Sequence, residues 1–443
     1  MQKKVSDILV VGFALFAMYF GAGNLVFPPT LGAVSGNQWP IGFLGFLIAE
    51  VGLTLCGLLA ITLSDGSPDK FFEGLPKWFS VFIFVAIALI IGPLFAVPRT
   101  AATTFEIAFL PVAKSSFGET GVAITGVITK LLFFAVTLIF VITPSNVIDK
   151  IGKFLTPFLL IALTFLILKG IFVPLGKLNP PAADAHVFAY GVRQGYQTMD
   201  ALGTLLFGVM LINTMREKGY TEKKPLFRMS IIASLVACFG LALVYGGLTY
   251  LGASANDVIP LETERTTRLV LLAQDLWGPI GSVILGFSIS LACLTTSIGL
   301  IAPVSEYFSK LTKIPVKVMA VIATLLSFGI SLIGVEGIIN VAGPLLEILY
   351  PIIIVLIFMA FLAKVLPNFW FKRGAVIGTL IVSIMTALLA CDASFGTNFK
   401  ATFINDIVSA LPFAQLGFAW VLPALVCGML AGGIAIPLTK KQA

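Results

Sequence analysis

Apolar runs of about twenty residues recur along the whole sequence, and only short polar stretches separate them. About 20 apolar residues are enough for a helix to cross a membrane. Hydrophobic residues make up 58% of the 443 residues and charged residues only 11%, a balance that soluble domains do not have. The sequence therefore predicts an all-α integral membrane protein with one transmembrane domain over residues 1–443. We predict about twelve transmembrane helices, at residues 7–33, 41–63, 79–109, 118–142, 152–173, 191–213, 229–251, 277–307, 315–334, 338–363, 374–391 and 415–437.

The basic residues indicate how the chain is oriented. With the N-terminus inside, nineteen lysines and arginines fall in inner segments and seven in outer ones. Cytoplasmic loops carry this excess of positive charge, so we expect both termini to be cytoplasmic. The same distribution accounts for the net charge of +7 without a nucleic-acid partner.

The N-terminus and the cysteines exclude two other interpretations. The first apolar run is too long for the core of a cleaved signal peptide, so we expect a retained first span. The five cysteines fall inside spans or at their ends, and no Cys-x-x-Cys pair occurs. Neither a disulfide framework nor a metal cluster is therefore indicated.

The first span contains a stretch that an ordinary membrane helix would not have. Gly21-Ala22-Gly23-Asn24 is followed by Pro28 and Pro29. Proline lacks an N–H group and disfavours helix just upstream, and glycine lets the backbone bend and other atoms approach closely. Backbone polar groups cannot face lipid unpaired, so a broken helix at this depth must line a cavity or lie inside protein. The stretch is therefore a candidate binding site.

The sixth span has a second interruption, at residues 193–204, where polar residues and two glycines precede an apolar run. Two interruptions five spans apart are typical of two five-helix repeats of opposite topology, whose broken helices meet at a transporter's binding site. We predict inverted repeats at about residues 7–173 and 191–363, with peripheral helices at about 374–437. The pattern predicts a leucine-transporter-like fold.

Three charged residues within spans are further candidates. Arg99 follows an irregular stretch in span 3, and Glu106 lies two turns further along the same predicted helix face. Charges in spans are functional candidates, although these two could instead form a structural ion pair or reach toward one surface. Glu347 in span 10 could be a proton-linked group, a gate, or a residue merely paired near the outer end.

Span 8 carries hydroxyl groups along one helix face. Thr296 and Ser297 share that face with Cys293. Hydroxyl oxygens and the carbonyls of a broken helix suit a small hard cation such as Na⁺. Serine and threonine are also ordinary packing residues between membrane helices, so both interpretations stay open.

Three longer runs carry a family resemblance: FALFAMYFGAGNLVFPP at residues 13–29, GPLFAVPRTAATTFE at 92–106 and GYQTMDAL at 195–202. With them, the chain resembles the bacterial branched-chain amino acid carriers, the BrnQ or LIVCS family, over essentially its whole length. The resemblance implies uptake of L-leucine, L-isoleucine and L-valine through the cytoplasmic membrane, coupled to Na⁺ or H⁺. It also implies the amino acid–polyamine–cation architecture with five-plus-five inverted repeats.

A more distant similarity, to sodium-coupled amino acid transporters, rests on the Gly23-Asn24 turn and Pro28. It implies that amides near Ala22 and Gly23 receive the substrate carboxylate, and that carbonyls of Ala17 and Phe20 face a cation. In span 8 it implies one of two registers of cation ligands, Cys293, Thr296 and Ser297 or else Ala292, Thr295 and Thr296. A second cation site at Asn24 lacks identifiable further ligands.

These features combine into a hypothesis of cation-coupled symport by alternating access. Asp200 is a candidate partner for the substrate ammonium, or else it caps its own restarted helix. Phe95 and Tyr196 are candidates for an apolar side-chain pocket. The candidate substrate-binding residues are Gly21, Ala22, Gly23, Asn24, Phe95, Tyr196, Thr198 and Asp200. The candidate cation ligands are Ala17, Phe20, Cys293, Thr296 and Ser297, and the further candidates are Arg99, Glu106 and Glu347.

Rival functions find less support in the sequence. A channel would show polar rings or a charged pore lining. An enzyme or ATP-driven pump would show HExxH, GxSxG or GxxxxGK[ST], and none occurs. The one histidine, His186, is expected in an outer loop. We expect no cofactor beyond the coupling ion and no obligatory protein partner; a same-fold carrier for another small amphipathic solute is the alternative.

Overall fold

The computed structural model describes residues 8, 11–16, 19–143, 146–182, 186–217, 219, 220, 222–363, 365, 369–396 and 402–439. Every regular element within those residues is helical, which confirms the predicted all-α class. The α-helices are α1 (11–16), α2 (Phe27–Ser35), α3 (Trp39–Leu47), α4 (Leu53–Leu63), α5 (Pro68–Phe71), α6 (Lys77–Leu89), α7 (Ala96–Thr104), α8 (Leu110–Ser116), α9 (Glu119–Ile142), α10 (Asn146–Phe172), α11 (Val187–Tyr196), α12 (Asp200–Glu217), α13 (Lys223–Ser254), α14 (Arg265–Thr312), α15 (Val316–Ser331), α16 (Gly334–Leu362), α17 (Phe369–Phe395), α18 (Thr402–Ala410) and α19 (Val421–Thr439).

The first span is broken where the sequence predicts. Phe20 and Gly21 lie outside helical structure, and a short 3₁₀ segment, Ala22–Val26, leads into α2. Pro28 and Pro29 lie in the first turn of α2, where proline's missing N–H costs no hydrogen bond. The glycines and Asn24 therefore form the break, and the prolines start the next helix.

The sixth span is also broken, between α11 and α12. Met199 has a positive φ of 65°, a conformation that non-glycine residues adopt only when the surroundings enforce it. The helix begins at Val187 rather than at residue 191, with His186 immediately before it. The predicted outer loop is therefore shorter than expected.

The number of spans stays a prediction, as do the bounds of the inverted repeats. In the described part of the chain, seven helices are long and apolar enough to cross a membrane, and three apolar helices are shorter. The twelfth predicted span begins late, because residues 414–416 form a 3₁₀ turn and α19 starts only at Val421. Helix α18 was not predicted.

Three π turns interrupt otherwise regular helices, at Ile48–Gly52, Ile90–Leu94 and Phe105–Phe109. A π turn holds one residue more than an α turn and often occurs at functional sites. The second contains Pro93 and a non-helical Gly92, as the irregular sequence of span 3 predicts. The first contains Glu50, within a run that the sequence presents as a plain apolar helix.

Helices α2 and α13 touch backbone to backbone. A Cβ atom built on Gly32 would lie 1.8 Å from the Thr249 carbonyl oxygen, and one built on Gly252 would lie 1.9 Å from the Pro29 carbonyl oxygen. Such contact needs residues without side chains, as is common between membrane helices. The second half of the broken first span is therefore fixed against α13.

The last helices pack on one another in the same way. Glycines of α17 face backbone carbonyls of α19, at Gly374 against Cys427 and at Gly378 against Pro423, and α17 also packs on α16.

Two basic side chains attach α17 to the loop between α5 and α6. Lys372 donates hydrogen bonds to the carbonyls of Phe71 and Glu73, and Arg373 donates to that of Gly74.

Helix α14 begins with a segment before the membrane span and bends at Gly278, where φ is +72°. The loop that precedes α14 is held to the loop after α10. Asp257 accepts hydrogen bonds from the Lys177 backbone amide and the Asn179 side chain. These hydrogen bonds favour the ionised carboxylate and hold the pKa of Asp257 below its usual range.

Candidate functional site

Asn24 joins the two broken helices directly. Its amide nitrogen lies 2.9 Å from the Tyr19 carbonyl oxygen, which also accepts a hydrogen bond from the Gly21 amide, and 2.6 Å from Oδ2 of Asp200. A third, longer contact of 3.4 Å reaches the Tyr245 hydroxyl. One side chain thus satisfies a backbone carbonyl at the first break and binds the first residue after the second break.

Asp200 is the first residue of α12. Its carboxylate accepts a hydrogen bond from Asn24, 176 positions away in the sequence, rather than from the backbone of its own helix. The capping alternative is therefore not what the structure shows. The arrangement leaves a partly buried acidic group facing the space between the two breaks.

Arg99 is buried, and its side chain binds a backbone carbonyl at the second break. Its Nη1 atom lies 2.6 Å from the carbonyl oxygen of Gln197, which belongs to the non-helical link between α11 and α12. The guanidinium also lies 5.2 Å from the centre of the Phe27 ring, within range of a cation–π contact. The expected alternative of an Arg99–Glu106 ion pair is wrong, because the two side chains bind different partners.

Glu106 lies away from the breaks and binds the starts of α14 and α16. Its two oxygens accept hydrogen bonds from the Val335 amide and the Thr266 hydroxyl, at the starts of α16 and α14. Arg265 and Glu336 form an ion pair between the same two helices. These contacts join three segments that the predicted topology puts at the outer side.

Glu347 lies elsewhere, partly buried in α16. Its charged neighbour is Arg193 of α11. It does not line the cavity described next.

A small cavity lies between the two breaks. It measures about 40 Å³, which is room for water molecules but far less than the roughly 150 Å³ of an engineered cavity that binds benzene. A bound aliphatic amino acid would therefore require the lining residues to move apart. The lining residues are Tyr19, Gly21, Asn24, Ile91, Ala96, Arg99, Thr100, Thr198, Met199, Asp200, Gly203, Phe207, Thr296 and Leu300.

The predicted substrate-binding residues fall into three groups. Gly21, Asn24, Thr198 and Asp200 line the cavity; the backbone of Ala22 and Gly23 lies in the 3₁₀ segment of the first break; Phe95 and Tyr196 are buried outside the lining.

The apolar part of the cavity differs from the predicted pair of aromatic residues. Tyr196 stacks on Tyr350 with ring centres 4.3 Å apart. Ile91, Phe207 and Leu300 form the apolar lining of the cavity, and the role of Phe95 and Tyr196 in a substrate pocket stays a prediction. The faces of irregular helices could not be read from sequence spacing.

Of the cation ligands predicted in span 8, Thr296 lies beside the first break. A Cβ atom built on Gly21 would lie 3.7 Å from the Thr296 hydroxyl oxygen. Ser297 is fully buried and its hydroxyl lies 3.5 Å from that of Thr137 in α9. Cys293 is also fully buried. Thr296 belongs to both proposed registers, so the choice between them stays a prediction.

The first-helix cation ligands are described only in part. Phe20 is non-helical, and its ring stacks on Phe16 and on Tyr245. Ala17 lies outside the described residues. The described residues contain no group of three or more histidine, cysteine or acidic side chains that could hold a metal ion.

Glu50 is the site residue that sequence reasoning missed. Its side chain is completely buried, and its carboxyl lies within hydrogen-bonding reach of the Asp200 carboxyl. Gly195 permits this position, since a Cβ atom there would lie 3.2 Å from the Glu50 amide nitrogen and 3.1 Å from the Phe46 carbonyl oxygen. The sequence does contain one indication of this role, which is the glutamate itself, because a lone glutamate inside an apolar span needs a partner.

Two interrupted helices joined by Asn24 at a shared cavity are the arrangement of a carrier. The model of the family described as "Branched-chain amino acid transport protein" matches residues 4–436. The chain belongs to this family. As a branched-chain amino acid transport protein, it is a multi-pass membrane carrier rather than an enzyme. The branched-chain amino acid permease BraB of Bacillus subtilis (strain 168) is 38% identical over 435 residues, covering 95% of this chain and 94% of the relative.

Solved structures share the fold of this branched-chain amino acid transport protein. Mhp1, a nucleobase-cation-symport-1 family transporter in a closed conformation with bromovinylhydantoin bound, aligns with a TM-score of 0.60 at 12% identity, covering 97% of this chain and 93% of that one. MhsT in complex with L-phenylalanine aligns with a TM-score of 0.55 at 19% identity, covering 96% and 98%. At these identities the likeness shows the fold alone, and that fold is leucine-transporter-like.

Proposed function

We propose that this carrier imports L-leucine, L-isoleucine and L-valine across the bacterial cytoplasmic membrane by symport with Na⁺ or H⁺. The observation that carries the proposal is the Asn24–Asp200 hydrogen bond beside a cavity, in a chain of this family. A zwitterion needs an anion for its ammonium and N–H groups for its carboxylate. Asp200 supplies the first, and the amides near Ala22 and Gly23 supply the second at the positive end of a half-helix.

The aliphatic side chain would contact the apolar part of the cavity lining, at Ile91, Phe207 and Leu300. An apolar pocket distinguishes one methylene by only about 1–3 kcal/mol, so one site serving three branched side chains is physically reasonable. Alternating access would then open this cavity to each side in turn. The inverted repeats at about 7–173 and 191–363, and the cytoplasmic location of both termini, belong to the same proposal.

The proposal is tested with purified protein in proteoliposomes. Radiolabelled leucine uptake is compared under an inward sodium gradient, an inward proton gradient and no gradient. We expect accumulation with at least one gradient, and inhibition by unlabelled isoleucine and valine but not by proline. Leucine uptake that is equal with a sodium gradient, with a proton gradient and with no gradient would refute symport. Stronger inhibition by alanine or proline than by valine would favour a same-fold carrier for another small solute.

Replacing Thr296 by alanine is expected to lower Na⁺-stimulated uptake about tenfold and to leave residual leucine exchange. Loss of one hydroxyl ligand corresponds to about 1.4 kcal/mol for a tenfold change in Na⁺ affinity. The measurement is initial uptake against Na⁺ concentration. Thr324→Ala is a matched control, because its hydroxyl binds only the Ala320 carbonyl of its own helix.

The same measurement decides the register in span 8. A loss in Ser297→Ala but not in Thr295→Ala supports the register Cys293, Thr296 and Ser297; the reverse supports the other. An unchanged Na⁺ dependence in Thr296→Ala would contradict a cation site at this position.

A further inference from the structure

The buried carboxyl of Glu50 is a group that the proposed function does not use. Its side chain has no exposed surface, and within the described part of the chain neither of its oxygens accepts a hydrogen bond from an amide, hydroxyl or basic group. The group within its reach is the carboxyl of Asp200. Two ionised carboxylates cannot stay in contact in a dry site, because each loses its hydration and repels the other.

The surrounding groups do not neutralise a second negative charge. Arg99 brings one positive charge toward Asp200, and a zwitterionic substrate adds no net charge. The other titratable groups that the described residues place near the two carboxyls are the hydroxyls of Tyr19, Tyr245 and Tyr350 and the thiol of Cys238. With Glu50 protonated, Arg99 balances Asp200; with Glu50 ionised, one unbalanced negative charge stays in the protein interior.

A further polar atom points to proton exchange at this place. The hydroxyl of Tyr19 is buried and has no hydrogen-bond partner among the described residues. Tyr19 and Asp200 both line the cavity, whereas Glu50 lies behind Asp200. Water that enters an opened cavity can therefore reach Asp200 first and Glu50 through it. The π turn Ile48–Gly52 is what places Glu50 at this position.

We propose that Glu50 and Asp200 share one proton and form a proton-binding site that empties and refills once in each transport cycle. In the closed protein the proton bonds Glu50 to the Asp200 carboxylate. When the cavity opens to one side, the proton passes from the pair to an entering water, and both carboxylates become hydrated. A proton taken from water on the other side restores the pair. Closing around leucine without a proton would leave two bare carboxylates in contact, so the leucine-loaded cavity closes only with the proton. The empty carrier returns without it, because water in place of leucine keeps both carboxylates hydrated.

The inference rests on the proposed function, since it couples this proton to leucine movement. It is separate from the candidate Na⁺ site at Thr296 and does not exclude Na⁺ there. The proton-linked role that the sequence suggests for Glu347 belongs to Glu50 in this proposal.

The test measures leucine-coupled proton movement in proteoliposomes that hold a pH-sensitive dye and no starting gradient. Adding leucine to wild-type vesicles is expected to carry about one proton inward for each leucine. In Glu50→Gln the side-chain amide still donates to Asp200 but has no exchangeable acid proton. We expect this movement to vanish, and leucine exchange to become independent of pH between about 5.5 and 8. Glu306→Gln, an exposed acid of α14, is the control and keeps the movement.

Infrared spectroscopy tests the site without transport. The C=O stretching band of a protonated carboxylic acid is expected in the closed wild-type protein and absent in Glu50→Gln. Wild-type proton movement in Glu50→Gln, or its loss in Glu347→Gln instead, would overturn the proposal. A band that persists in Glu50→Gln would overturn it too, even if that variant transports nothing. If the wild type fails to move leucine under any gradient, the proposed function fails, while the band still decides whether the pair holds a proton.

Discussion

Replacing Asp200 by asparagine is expected to weaken L-leucine binding at least about a hundredfold. The substitution removes the negative charge that would face the substrate ammonium, and a buried, hydrogen-bonded charge pair loses about 2–5 kcal/mol when one partner is removed. A hundredfold change corresponds to about 2.8 kcal/mol, within that range. The fold should persist, because the side-chain carbonyl oxygen of the new asparagine can still accept the hydrogen bond from Asn24.

The measurement is equilibrium binding of labelled leucine to purified protein. The matched control is Asp257→Asn, which changes an acid in the loop before α14 whose partners are Asn179 and Lys177. A leucine analogue without its amino group sharpens the test, since wild type and Asp200→Asn should bind it almost equally. Leucine binding by Asp200→Asn within threefold of wild type would remove Asp200 from the site.

The second large effect is expected at Gly32, where replacement by alanine should prevent the native packing of α2 on α13. The new Cβ atom would lie 1.8 Å from the Thr249 carbonyl oxygen and 2.7 Å from the Ala253 amide nitrogen. Both are backbone atoms, so no side chain can turn away and the two helices must separate. Overpacking typically costs about 1–3 kcal/mol, and we expect the upper end or more here.

Thermal unfolding in detergent, followed by the loss of the monodisperse protein peak, measures the effect. Gly329→Ala in α15 is the control, because nothing lies within 4 Å of its built Cβ atom. Alanine favours helix over glycine by about 1 kcal/mol, so the control should melt at or above the wild-type temperature. Equal melting temperatures for Gly32→Ala and wild type would show that the close contact of α2 and α13 does not limit stability.

Both helix breaks could be predicted because helix-breaking residues act locally. Gly21, Gly23 and Asn24, followed by Pro28 and Pro29, together disfavour a continuous helix at this point, and the polar cluster around Asp200 has the same effect. The family could also be recognised from the sequences of these breaks. What Asn24 binds could not be predicted, since Asp200 is 176 positions away and only the packed fold brings the two together.

Arg99 shows why a partner cannot be read from helical spacing in this chain. A spacing of seven residues puts Glu106 on the same face of a continuous helix, but α7 ends at Thr104 and a π turn follows. The extra residue of a π turn rotates whatever comes after it. Glu106 consequently reaches α14 and α16, while Arg99 reaches the carbonyl of Gln197.

Glu50 illustrates a different limit. The run around it has only isolated glycines and Thr54 among apolar residues, with no proline, so local rules describe it as an ordinary helix. Its role depends on Asp200, 150 positions later, and on Gly195 allowing the two segments to approach. Burial of an acid can be suspected from sequence, but its partner is a property of the tertiary structure.

The hydrogen bonds of Lys372 and Arg373 limit how far α17 can move relative to the turn between α5 and α6. The two side chains hold the carbonyls of Phe71, Glu73 and Gly74, so they clamp the turn between α5 and α6 to the start of α17. A displacement of that turn by more than about 1 Å relative to α17 would stretch all three bonds past the hydrogen-bond limit. In the proposed alternating-access cycle, the C-terminal helices would therefore travel with this turn or hold it still.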